Sequence, residues 1–136
     1  MENFRVAVKS FIVQEGKLLV IKRRSDDVHK PGQWDIPGGR LELGEDPMEG
    51  LRRETQEETH LEVDIVLPLE VRHFTREDGQ KITMIIFLCK LLGGELRLSK
   101  EHQAYEWVNV EKDDGKIPVW LNLAKDNFLK YNFNMA

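Results

Sequence analysis

The sequence has little cysteine, no long hydrophobic run and no excess of positive charge. A single cysteine, Cys89, excludes an intrachain disulfide and favours a reducing compartment, so we expect a cytoplasmic protein. The longest unbroken apolar run is the six residues 84–89, far short of the ~20 needed to cross a bilayer. The first ten residues contain no apolar signal core. We therefore expect a protein that is not secreted, not disulfide-rich and not bound to a membrane.

The acidic residues are concentrated in one segment of the chain. The 136 residues are 40% hydrophobic, enough for one folded domain spanning residues 1–136. The net charge of −4 argues against a protein that binds nucleic-acid duplexes. Residues 45–62 contain seven acidic and two basic side chains, a net charge of −5, whereas the rest of the chain sums to +1. The chemistry of the protein is therefore expected in this segment.

The hydrophobic pattern predicts a mixed β-sheet with helices packed on it, an α/β fold. Residues 37–39, Pro-Gly-Gly, are expected to end a short strand rather than to form one. The predicted strands are 4–13, 18–22, 34–36, 61–74, 81–92, 95–98 and 104–110.

Two helices are predicted. The first runs from Pro47 to about Thr59, because Asp46 supplies an N-capping carboxylate and Pro47 is favoured at the first helical position. Glu49, three residues after the cap, completes a capping-box pattern. A second, closing helix is predicted over residues 118–131.

Three carboxylates of the first predicted helix share one face. At 100° per residue, Glu54, Glu57 and Glu58 fall within an arc about 100° wide, and Arg53 flanks it. Gly50 lies in the middle of this arc and is predicted to leave space beside the carboxylates. Glu54 and Glu58 form a like-charge i,i+4 pair, which is mildly destabilising. The face is either a solvated, ion-paired surface or a site for a hard divalent cation with carboxylate ligands.

A longer motif surrounds this acidic face. Five residues separate Gly39 from Glu45, and seven more lead to the run Arg53-Glu54-Thr55-Gln56-Glu57-Glu58-Thr59-His60-Leu61. This spacing resembles the signature of the Nudix family, the MutT-type hydrolases of nucleoside diphosphates linked to another moiety. Two positions depart from it: Thr55 replaces an aliphatic residue, and His60 replaces a glycine. We interpret both as local stability costs, about 1–2 kcal/mol for His60 if its backbone is left-handed.

The resemblance implies an α/β/α sandwich, in which a mixed sheet is flanked by the signature helix and the C-terminal helix. It implies hydrolysis of a diphosphate bond in a small nucleotide, with Mg or Mn as cofactor. An ordinary or oxidised nucleoside triphosphate is the leading substrate, and diadenosine polyphosphates and nucleotide sugars remain alternatives. A Nudix-fold module that binds a nucleotide without cleaving it is a further alternative. The oligomeric state, monomer or homodimer, is left open.

The resemblance also implies roles for residues around the signature. The expected metal ligands are the carboxylates of Glu54, Glu57 and Glu58 and the carbonyl of Gly38. Glu54 is alternatively the general base, and Arg53 would orient the carboxylates by charge-assisted hydrogen bonds. Gly39 and Glu45 are expected to support the loop, Glu45 through Arg53. Three arginines are candidate phosphate contacts, namely Arg23, Arg24 and Arg40.

A second candidate for the general base lies further along the chain. Many family members place a catalytic glutamate in a loop before a late strand that contains tryptophan, and residues 98–107 resemble that region. We prefer Glu101 to Glu106 as this base, because Glu101 falls in the predicted loop. The neighbouring His102 is interpreted as a packing residue of the loop.

Overall fold

Within residues 3–28, 30–113 and 115–131, which the computed structural model describes, the chain forms seven strands and two α-helices. Among these residues no helix is both long and apolar enough to span a membrane. The helices are α1 (Pro47–Thr59) and α2 (Asn122–Tyr131), the latter preceded by a 3-10 turn at Val119–Leu121. The strands are β1 (Phe4–Gln14), β2 (Lys17–Arg23), β3 (Trp34–Asp35), β4 (Gly38–Arg40), β5 (Leu61–Thr75), β6 (Lys81–Gly94) and β7 (His102–Asn109).

The strands form one mixed sheet in the order β3-β2-β1-β6-β5, with β4 paired to β1 and β7 paired to β2. β1 and β6 run parallel over ten residue pairs. The other pairings are antiparallel. The mixed α/β fold predicted from the sequence is therefore confirmed.

Each face of the sheet carries its own hydrophobic core. Alternate residues of β1 point to opposite faces, so Phe11 and Ile12 belong to different cores. Phe11 packs in the core that includes Phe128 of α2, whereas Ile12 packs in the core that includes Leu51 of α1. The sheet is thus covered by α2 on one face and by α1 on the other, which confirms the predicted layering.

Three secondary-structure predictions are wrong. Residues 38–40 form β4, because β1 pairs with β2 only near its end and leaves its 7–9 stretch free to pair with them. Residues 95–98 do not form a strand. Within this stretch the backbone N–H of Arg97 donates to the carbonyl of Thr59, the last residue of α1. Residue 118 lies outside α2, because Pro118 has extended backbone angles and precedes the 3-10 turn.

The predicted bounds of α1 are confirmed, and local chemistry explains them. The Asp46 carboxylate accepts hydrogen bonds from the backbone N–H groups of Met48 and Glu49. The helix ends at His60, whose φ of 64° and ψ of 18° are left-handed, so the condition for the expected local cost of this histidine is met. Thr55 is fully buried, and its hydroxyl hydrogen-bonds with Ser10 at 2.6 Å. The polar group at this aliphatic position of the signature is therefore satisfied.

Candidate active site

Two glutamates of α1 lie against the glycine pair of β4. The N–H of Gly38 donates to Oε1 of Glu58 at 3.1 Å. A Cβ added to Gly39 would lie 3.0 Å from both carboxylate oxygens of Glu54. A Cβ added to Gly38, where φ is +140°, would lie 2.1 Å from the carbonyl oxygen of Val8. Glycine is required here because β4 passes so closely between β1 and α1.

Burial controls the protonation of these two carboxylates. Glu58 is only 7% exposed, and desolvation raises its pKa to about 8. Desolvation also raises the pKa of the half-buried Glu54, although Arg53 opposes this shift. The ionised form of a buried carboxylate needs a cation or hydrogen-bond donors close by. The pair would therefore be stabilised by additional positive charge.

The buried Lys9 of β1 lowers the pKa of both Glu54 and Glu58 but does not overcome their desolvation. Its Nζ lies 3.3 Å from Asp35 Oδ2 and donates to the Ile36 carbonyl at 3.3 Å. Neither Lys9 nor Asp35 was predicted from the sequence to be a site residue. The available signal was a lysine placed among the apolar residues of a central strand, between Val8 and Phe11.

Arg53 holds the remaining carboxylates of the signature. Its Nε and Nη2 donate to the two oxygens of Glu45 at 2.7 and 2.9 Å. Its Nη1 donates to Glu57 at 3.2 Å, and its Nη2 lies 3.3 Å from Glu54. The Glu57 side chain is 59% exposed. Arg53 therefore links the loop before α1 to the exposed edge of the acidic face.

Glu45 is fixed from two directions. Its hydrogen bonds with Arg53, and a second bond from the Glu42 N–H, lower the pKa of Glu45 to about 2. A Cβ added to Gly50 would lie 2.9 Å from Glu45 Oε1 and 2.2 Å from Cδ2 of Leu41. The space predicted beside Gly50 is thus filled by Glu45 and Leu41, and Gly50 serves the packing of the loop on α1.

The loop before β7 brings Glu101 close to α1. Three side chains each place one possible metal-ligand atom within 4.8 Å of the other two, namely those of Glu58, Glu101 and His102. His102 is only 5% exposed, and its Nδ1 has no hydrogen-bond partner among the described residues. Burial, together with Arg23, lowers the pKa of His102 to about 4, so its imidazole is neutral at pH 7. His102 was interpreted as loop packing, whereas it is the first residue of β7 and belongs to this group.

The donor set of this group fits a hard divalent cation. The carboxylate oxygens of Glu58 and Glu101 are ligands that Mg and Mn prefer. A cation here would also stabilise the ionised Glu58, which burial disfavours. Two other predicted ligands, Glu54 and Glu57, are not part of this group and lie against Gly39 and Arg53 respectively.

The three arginines predicted to contact phosphate all have partners in the protein. Arg23 lies 3.1 Å from Asp27 and 3.8 Å from Asp35, but its buried Nε has no hydrogen-bond partner among the described residues. Arg24 pairs with the exposed Asp26 at 2.9 Å. The third arginine, Arg40, donates from Nη1 to Oε1 of Gln80 at 2.7 Å.

We expect the metal-free protein to lose stability through Glu58 as the pH rises from about 4.5 to about 8. The unfolded chain deprotonates Glu58 near its ordinary pKa of 4.5, whereas the folded chain retains the proton to about 8. The depressed pKa of His102 acts with the opposite sign, since its stabilisation is lost as the pH falls from about 6.5 to about 4.

The measurement is a series of urea midpoints in EDTA for wild type and Glu58→Gln, because the variant retains His102 and removes the titration of Glu58. The wild-type midpoint should fall relative to that of the variant across this window. A constant difference between the two proteins would contradict the assignment of a raised pKa to Glu58.

Known proteins resemble this chain in sequence and in fold. Residues 3–124 match the NUDIX domain family. The chain is 35% identical over 136 residues to the nucleoside triphosphatase NudI of Escherichia coli K12. The aligned region covers 93% of this chain and 94% of that protein. It is 37% identical over 108 residues to a MutT-like protein of Streptomyces ambofaciens, covering 79% of this chain and 65% of that protein.

The fold comparison agrees with the sequence comparison. The crystal structure of a MutT protein from Methanosarcina mazei Go1 superimposes with a TM-score of 0.82, at 26% identity and over 98% of both chains. The family match spans nearly the whole described chain, and it includes α1, β4 and the loop that carries Glu101. This chain therefore belongs to the Nudix hydrolase family.

Proposed function

We propose that the protein is a metal-dependent pyrophosphohydrolase of nucleoside triphosphates, with an ordinary or oxidised base. The observation that carries this proposal is the meeting of Glu58 and Glu101 within 4.8 Å, beside the glycine pair of β4. These residues are far apart in the chain, and their convergence brings the buried carboxylate of Glu58 next to the exposed carboxylate of Glu101, where a divalent cation and a diphosphate could be held together.

A bound Mg or Mn ion would supply charge neutralisation for the phosphates and acidify a water molecule. The residues proposed to hold it are Glu58, Glu54, Glu57 and the carbonyl of Gly38. Of the group with Glu101 and His102, only Glu58 would then be a ligand, and Glu101 would lie beside the ion. Arg53 would orient the carboxylates of Glu54 and Glu57 through the contacts that it already makes with both. Its paired partner Glu45 anchors this guanidinium to the loop.

In the proposed reaction Glu101 accepts a proton from the attacking water. The water oxygen forms a bond to phosphorus while the bond from that phosphorus to the bridging oxygen breaks, and the leaving phosphate group retains the electron pair. Glu101 suits this role because it is exposed at the edge of the site while its backbone is fixed by the Arg24 N–H at 3.1 Å. Glu54 is the alternative base.

The arginines proposed to bind the triphosphate are Arg23, Arg24 and Arg40. Each would exchange a carboxylate or amide partner for phosphate oxygens, which bind guanidinium groups more strongly than an amide does. Arg24 is the most available, because its side chain is 51% exposed and its partner Asp26 is 72% exposed. The backbone bond from Arg24 to Glu101 places this arginine next to the proposed base.

The choice of substrate rests on the similarity to NudI, which extends over 93% of this chain and 94% of that protein. A module that only binds nucleotides is disfavoured, because all four signature glutamates are present. We place the reaction in the cytoplasm, where nucleoside triphosphates are used and where the thiol of Cys89 remains reduced.

The test is a panel of nucleoside triphosphates, their 8-oxo forms, diadenosine tetraphosphate and nucleotide sugars, assayed with Mg for released phosphate and pyrophosphate. We expect kcat/KM for at least one triphosphate to exceed that for the dinucleotide and the sugars by about tenfold or more. A dinucleotide or sugar as the best substrate would contradict the substrate class. Tight binding without hydrolysis of any compound would indicate the non-catalytic alternative.

A further inference from the structure

The residue that ends α1 is also hydrogen-bonded to the loop that carries Glu101. His60 is one of two residues other than glycine with positive φ among the described residues, the other being Glu15 in the turn after β1. The Nδ1 of His60 lies 2.8 Å from the carbonyl oxygen of Arg97. A carbonyl can only accept, so Nδ1 carries the proton and donates. The left-handed backbone of His60 thus directs its imidazole to this loop.

The loop at residues 97–101 has no strand or helix of its own and is held by separate contacts. The N–H of Arg97 donates to the Thr59 carbonyl at 2.9 Å, and the N–H of Ser99 donates to the Glu58 carbonyl at 3.1 Å. From the other side, the N–H of Arg24 donates to the Glu101 carbonyl at 3.1 Å. The loop is therefore hydrogen-bonded to the end of α1 on one side and to the residue after β2 on the other, and His60 makes one of these hydrogen bonds.

We propose that His60 is a positioning residue, whose hydrogen bond to the Arg97 carbonyl holds the 97–101 loop so that Glu101 faces Glu58. A glycine would adopt the same backbone conformation without strain but has no side-chain donor. A strained residue that makes a specific contact beside a reactive group is typical of a site where geometry matters to function. This role rests on the proposed function of Glu101.

Two substitutions separate the donor from the backbone conformation. Asparagine places its amide nitrogen at the same bonded position as Nδ1 of histidine and tolerates the left-handed region. Glycine tolerates the same conformation and has no donor. The matched control is Glu15→Gly, which relieves the other positive-φ residue at a turn remote from α1. The proteins to compare are therefore wild type, His60→Gly, His60→Asn and Glu15→Gly.

We expect His60→Gly to lower kcat by about threefold to tenfold, the range that one neutral hydrogen bond carries, with KM unchanged. His60→Asn should restore most of kcat, and Glu15→Gly should leave kcat at the wild-type value. In metal-free protein, hydrogen exchange at the amides of Arg97 and Ser99 should be faster in His60→Gly than in His60→Asn. In a Glu101→Gln background, His60→Gly should have no further effect on kcat.

An unchanged kcat in His60→Gly would overturn the proposal, as would an equal loss in His60→Asn. The proposal also fails if His60→Gly lowers kcat by the same factor in the Glu101→Gln background, because the effect would then not pass through Glu101. Full activity of Glu101→Gln alone would refute the role of Glu101, and the positioning role with it. That result would leave hydrolysis and the metal site on α1 standing, so the two failures are distinguishable.

Discussion

Replacing Glu57 and Glu58 together by glutamine should lower kcat by about 10³-fold or more and abolish stabilisation by Mg. A metal that neutralises developing charge on phosphate contributes several kcal/mol to the transition state, and each 1.4 kcal/mol is tenfold in rate. Mg should raise the unfolding temperature of wild type, because it binds the folded state alone. Most of the loss should come from Glu58, which is 7% exposed and belongs to the group with Glu101.

The control has the same change in charge. Glu49→Gln combined with Glu62→Gln also removes two carboxylates, both exposed, from the first turn of α1 and from the strand that follows the helix. This variant should retain turnover and the shift in unfolding temperature with Mg. Equal stabilisation by Mg of wild type and of the Glu57→Gln/Glu58→Gln variant would show that the metal binds elsewhere.

The parts of the site that could be predicted from the sequence are those fixed by local chemistry. α1 begins at Pro47 because of the neighbouring carboxylate of Asp46, and both lie within one helical turn. The left-handed backbone of His60 follows from its place between a helix and a strand. The periodicity of α1 also places Glu54, Glu57 and Glu58 on one arc.

The different surroundings of those three carboxylates could not be predicted, because they depend on another strand. Glu58 is buried and Glu57 is exposed, since β4 passes over one side of the arc. β4 itself was missed, because Gly38 and Gly39 have low β propensity and pair only where β1 leaves an edge free. Helical periodicity places side chains around an axis but contains no information about what covers them.

His102 and its loop illustrate the same limit at long range. The 95–98 stretch has a strand-like sequence, yet the backbone of the loop bonds to the end of α1, which the local pattern does not encode. His102 is buried because it begins β7, which pairs with β2 at Arg23. The group that it forms with Glu58 and Glu101 therefore exists only once the sheet has assembled.

Glu101→Gln should lower kcat by about 10²-fold or more, with the Mg-induced shift in unfolding temperature little changed. This loss is the usual contribution of a general base, and the amide of glutamine cannot accept the proton. Glu101 lies within 4.8 Å of a carboxylate oxygen of Glu58, so it could act as a metal ligand instead of a base. The change in unfolding temperature on adding Mg distinguishes these two roles. A base that is removed leaves the metal bound, whereas removal of an essential ligand reduces both activity and the shift.

The matched control is Glu106→Gln. Glu106 was the alternative base, lies within β7 and is ion-paired with Lys116 at 2.7 Å. This variant should keep the wild-type kcat. If Glu101→Gln is fully active while Glu54→Gln is not, the base lies on α1, and the half-buried Glu54 beside Gly39 performs the proton transfer.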